Sequence, residues 1–93
     1  MDANEKLDFL RGQNYEYLAG LPSVVEEEIA IEGKKGTMSV WNDLLPSGER
    51  RIVVACYTPT FFRLGVRVRA EGFAVAANNA KRPLSDEELA PFI

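Results

Sequence analysis

The chain has 93 residues, 46% of them hydrophobic, with 14 acidic and 11 basic side chains and a formal net charge of −3. Such a size and composition describe one small folded domain and argue against disorder. The acidic balance gives no global field that draws in nucleic acid. With no histidine and a single cysteine, the Ser-His and Cys-His mechanisms, His-containing zinc sites and any internal disulfide are all excluded.

No apolar run approaches the roughly 20 residues that cross a bilayer. The opening "MDANEKLDFLRG" is acidic and lacks the oily centre of a signal peptide. The expectation is a cytoplasmic protein with no membrane contact. No EF-hand spacing is present, so neither a metal nor a cofactor is expected.

In chain order, the first 21 residues are helical in pattern. Ala3, Leu7, Leu10, Tyr17, Leu18 and Leu21 recur at spacings of three and four, which places them on one stripe. Asn14 interrupts the stripe, and Gly12 is a candidate break. Gly20 before Leu21-Pro22 predicts a left-handed glycine cap and a stop. Ser23 and Glu26 have the form of a capping box. The apolar residues that follow scatter around a helical wheel, however, and as a strand Val25, Ile29 and Ile31 line one face, so the strand reading is preferred.

Gly33-Lys34-Lys35-Gly36 reads as a turn between two strands. It lacks the following helix that would make such a loop bind phosphate. A four-residue loop there pairs Ile31 with Met38, Ile29 with Val40, Glu27 with Asn42 and Val25 with Leu44. On the other side it pairs Glu32 with Thr37, Ala30 with Ser39, Glu28 with Trp41 and Glu26 with Asp43. One face of that hairpin is oily and the other polar. Pro46 and Gly48 mark the next turn. The run "RIVVACYT" is apolar at both parities, which predicts a strand covered on both faces. Its Cys56 is expected to be an inert buried thiol.

The stretch "FFRLGVRVRAEGF" follows. Arg63, Arg67 and Arg69 share one parity, and Leu64, Val66, Val68 and Ala70 the other. Gly72 predicts a bend or bulge, and Asn78-Asn79 a short hairpin. Ser85 and Glu88 form a second capping box, with Leu84 and Leu89 as its hydrophobic staple and Pro91 ending the helix. The predicted fold is α+β: an N-terminal helix (1–21) on a four- to five-stranded antiparallel meander (24–77), with a short C-terminal helix (85–91), in a single domain of residues 1–93.

No motif names a reaction, so the expected function is non-enzymatic: binding of a partner protein or of a second copy of the chain. The candidate surface sets an acidic flank (Glu26, Glu28) and a basic flank (Arg63, Arg67, Arg69) around an oily middle of Trp41 and Tyr57. Tryptophan and arginine are the residues that most often carry interface energy. Small acidic α+β chains of bacteria and phages include toxin-neutralising and inhibitor proteins, so inhibition of a partner is one form of the expectation, by analogy of fold alone. One alternative is a ligand-binding or enzymatic pocket between helix and sheet, with Tyr15, Tyr17, Glu27, Asn42 and Cys56 as its polar groups. A second is single-stranded nucleic acid on the arginine strand, where Phe61, Phe62 and Phe73 flank the charges, although the acidic balance argues against it. Glu26-Glu27-Glu28 as a catalytic or metal cluster is set aside, because alternation sends Glu27 to the opposite face.

Overall fold

The computed structural model describes residues 3–31, 33–59 and 66–92. Two short helices, α1 (Ala3–Arg11) and α2 (Tyr15–Ala19), precede β1 (Val24–Ile31), β2 (Lys34–Leu44), β3 (Arg50–Pro59), β4 (Val66–Val75) and β5 (Lys81–Pro83). Helix α3 (Asp86–Leu89) and a 3₁₀ turn, Ala90–Phe92, close the chain. The five strands form one antiparallel meander in the order β1-β2-β3-β4-β5. This is the α+β architecture predicted from the sequence.

The break after α1 falls at Gly12, whose N–H donates to the carbonyls of Asp8 and Phe9. Asn14 does more than interrupt a stripe. Its side chain N-caps α2 by accepting from the Tyr17 N–H at 2.9 Å, which satisfies an otherwise orphaned donor. Gly20 ends α2 in a right-handed conformation, φ −81°, and not as the left-handed cap expected. Part of the reason is Asn42, whose Nδ2 donates to the carbonyls of Leu18 and Leu21, each at 2.9 Å. Carbonyls that a left-handed cap would serve are served by the sheet instead.

The β1–β2 hairpin has the predicted faces but a different register. Ile31 pairs with Lys34, so the loop is two residues long and ends on Gly33 at φ 79°. Val25 therefore lies opposite Val40, Glu27 opposite Met38, Ile29 opposite Gly36 and Glu28 opposite Thr37. The expected Glu32–Thr37 pair involves a residue outside those described. The shift is by an even number of residues, so each side chain keeps its face. Alternation alone does not separate such registers, and the tight connection matched to strand twist prevails. The β4–β5 hairpin turns where expected, with Asn79 at φ 70° and the Ala76 N–H bonded to the Ala80 carbonyl at 2.9 Å.

One face of the sheet carries the main core. Met38 and Val40 of β2, Ile52, Val54 and Cys56 of β3, and Phe73 and Val75 of β4 pack with Leu7, Leu10 and Leu18 of the two helices. On the other face Val53, Ala55 and Ala74 are also fully buried. Strand β3 is thus covered on both sides, as its double apolar parity predicts, and Cys56 sits in the core.

Gly72 makes no bulge. It stays in ladder opposite Val53, and it is glycine because a Cβ there would collide with the Ile52 carbonyl and press on Val53 Cα and Leu84 Cδ1, each at 3.0 Å. Two of these obstacles are backbone and have no rotamer to yield. Gly72→Ala is expected to destabilise the fold by about 1–3 kcal/mol, the usual range for overpacking. A urea-denaturation midpoint equal to wild type would contradict this.

Candidate functional site

The face of the sheet away from α1 and α2 carries Trp41 and Asp43 of β2 and Arg51, Val53 and Tyr57 of β3. The C-terminal segment is laid across part of it. Ser85 caps α3 in a reciprocal box with Glu88, as the sequence predicts. Arg82 of β5 then grips two carboxylates at once. It reaches Glu88 at 2.8 and 2.9 Å, and Glu49 at 3.0 Å through each of two nitrogens. Arg51 makes a bidentate pair with Asp43 and donates to the Glu88 backbone carbonyl at 3.1 Å. Its guanidinium lies 5.0 Å from the centre of the Phe92 ring, and Phe92 in turn lies 5.6 Å from Trp41. An aromatic pair of this kind contributes about 0.5–1.5 kcal/mol beyond its buried area.

Beside this cover is a half-open cleft of about 600 Å³, with Val24, Trp41, Tyr57 and Phe92 among its lining residues. Of the five residues proposed for a pocket between helix and sheet, Asn42 alone lines this cleft, and the other four are dispersed. Tyr15 donates its hydroxyl to the Gly48 carbonyl at 3.3 Å. Tyr17 is exposed against Phe9, ring to ring at 6.2 Å. Glu27 is exposed on β1 and Cys56 is buried in the core.

The partner-binding candidates divide between the two faces. Register places Glu26, Glu28, Trp41 and Tyr57 on one side. Arg69 pairs with Cys56 and Arg67 with Thr58, which belong to the other side. The expected single surface with acid, oil and base in sequence is therefore not formed. Arg63, with Phe61 and Phe62, lies outside the described residues. Arg69 is exposed on the helix side of the sheet. Toward the far end of β4 the core residues Phe73 and Val75 give way to exposed Glu71 and Arg69.

Among the described residues two strand edges stand open, and strand β1 pairs with β2 alone. Strand β4 is paired on its outer side only at Phe73–Val75, which leaves residues 66–72 without a neighbour among the described residues. The β1 edge is acidic, with Glu26, Glu27 and Glu28 all exposed. The ion pairs among the described residues join Arg11 to Asp8, Arg51 to Asp43, and Arg82 to Glu49 and Glu88; none engages Arg69 or the three glutamates.

Sequence reading missed the Arg51–Asp43 and Arg82–Glu49–Glu88 clusters. Only the capping box gave a local signal for Glu88; the other contacts join residues up to 37 apart. Among the described residues no group of three or more potential ligands is placed to hold a metal ion, and no helix is long and apolar enough to cross a membrane. Comparison with protein-family models, with curated proteins and with solved structures found no match.

The C-terminal cover is expected to respond to acid. Hydrogen bonds from Arg82, with help from the Ser85 backbone, hold the Glu88 carboxyl at about 2, below its ordinary 4.5. Arg82, then Ser47, lowers that of Glu49. Both groups are more acidic folded than unfolded, so their stabilisation is complete above about 4.5 and is lost as pH falls through the folded values. Trp41 is the one tryptophan and reports the loss of Phe92. Its emission is expected to change between pH 4.5 and 2, and Arg82→Gln is expected to move that change upward in pH. Identical titrations for the two proteins, with far-UV circular dichroism as the control for unfolding, would remove the role assigned to Arg82.

Proposed function

We propose that the chain works by binding protein, with β1 as a docking edge to which a partner adds a strand. The observation that carries this reading is an eight-residue strand that, among the described residues, is paired on one side only. Such an edge presents a row of backbone donors and acceptors that a second strand completes. In strand addition the main-chain bonds supply affinity and adjacent pockets supply side-chain selectivity. The cleft lined by Val24 and Trp41 starts at this edge, and Val24 is itself exposed. The glutamates of β1 select for a basic strand and discourage an acidic one.

The cleft also favours a second reading. Its volume, about 600 Å³, is within the range of small-molecule sites, and it is lined by aromatics with Arg50 and Arg51 nearby. Ligand binding there would perturb Trp41 and Phe92 and leave the β1 backbone unchanged.

Two synthetic strand peptides separate these readings by NMR. One alternates arginine with valine; the other alternates glutamate with valine. The basic peptide is expected to shift the amides of Val24–Ile31 and the indole N–H of Trp41, with the acidic peptide much weaker. If neither peptide perturbs β1, the docking-edge reading fails.

A further inference from the structure

The two edges open among the described residues differ in charge, and their lengths differ by one residue. We infer that the strand received by β1 is the β4 edge of a second copy of this chain, so that molecules join head to tail into a continuous antiparallel sheet. This rests on the reading of β1 as a docking edge and names its partner.

Strand direction alternates along the meander, so β1 and β4 run antiparallel to one another. A neighbour stacked in the same orientation therefore presents its β1 antiparallel to β4, with its helices on the same side of the sheet. The free part of β4 is residues 66–72, and a register that sets Glu27 against Arg69 sets Val24 against Gly72. The added strand then ends where β5 begins. Glu27 and Arg69 both belong to the helix-side parity of their strands, since Glu27 pairs with Met38 and Arg69 with Cys56. In the joined sheet they would be direct cross-strand neighbours of opposite sign, the favourable arrangement. Val25 falls opposite Glu71 in the same register, so no like charges meet on that side.

Pairing of two β1 edges is disfavoured by the same rule, because it would bring Glu26, Glu27 and Glu28 against their own copies. The free stretch of β4 is mixed in sign, with Glu71 on the same face as Arg69. Within one molecule the two edges cannot meet, because they are separated by three strand spacings, about 14 Å. The contact is heterologous, so it propagates into a ring or an open row.

Sedimentation velocity on the full chain tests this, with single variants Glu27→Arg and Arg69→Glu. Both positions are exposed, and circular dichroism verifies that the fold is kept. Wild type is expected to associate with rising concentration and to dissociate with added salt. Each variant alone replaces attraction by repulsion at both of its edges and is expected to weaken association by roughly tenfold. An equimolar mixture restores attraction at both kinds of contact. The β1 edge of Glu27→Arg and the β4 edge of Arg69→Glu then meet with their signs exchanged, while the native Glu27 of the second variant meets the native Arg69 of the first. Association is expected to return. A wild type that stays monomeric, an Arg69→Glu variant that associates like wild type, or a mixture that does not recover would each overturn the inference. If wild type is monomeric while the basic peptide still shifts the β1 amides, self-pairing alone has failed and the docking edge stands.

Discussion

Strand β3 is the constraint on which the rest of the structure depends. Ile52, Val53, Val54, Ala55 and Cys56 are consecutive and all buried, so both faces of the sheet must be roofed at its centre. One face is roofed by Leu7, Leu10 and Leu18. The other is roofed by the residues that flank β3 and by the C-terminal segment, with Leu84 against Gly72 and Phe92 against Trp41. Among the described residues no further element covers the margins of the sheet.

The same scarcity explains where charge appears. Burying an unpaired arginine or glutamate is costly, so charged side chains collect where the roof ends. On β4 that limit falls between Phe73, which is buried, and Glu71, which is exposed. On the opposite face the roof is itself held by charge. Arg51 and Arg82 both converge on Glu88, one through its backbone and one through its carboxylate. Exposed ion pairs contribute little singly. Here one of them, Arg82–Glu88, joins the Arg51 hydrogen bond to the Glu88 carbonyl in holding the capping box that precedes the turn carrying Phe92.

What the sequence makes legible follows from which interactions are local. Element types, the Asn78-Asn79 turn, the Ser85–Glu88 box and the double burial of β3 all rest on residues close together in the chain, and all can be read from it. The β1–β2 register cannot, because slipping an antiparallel pair by an even number of residues preserves every face. The face of the arginines is lost for a related reason. Alternation relates Arg67 to Arg69, but the parity of β4 against β3 depends on the connection between them. Once Arg69 pairs with Cys56, it leaves the Trp41 surface. Glu26, Glu28, Trp41 and Tyr57 still share a face as expected.

Moving the arginines changes what the charges on the sheet can accomplish. On one face with the glutamates they would have bordered a flat patch, where partner choice rests on the oily middle. On the β4 edge they stand at the margin of the hydrogen-bonding ladder, as the glutamates do on β1. Edge charge is ordinarily a device against pairing, since like charges set opposite one another oppose the ladder that the backbone would otherwise form. That protection is symmetric only when both edges carry the same sign. With Glu26, Glu27 and Glu28 all exposed on β1, that edge opposes its own copy, while Arg69 on β4 offers it a charge of opposite sign. Charge thereby sets the acidic edge against itself and leaves the inferred β1–β4 pairing unopposed.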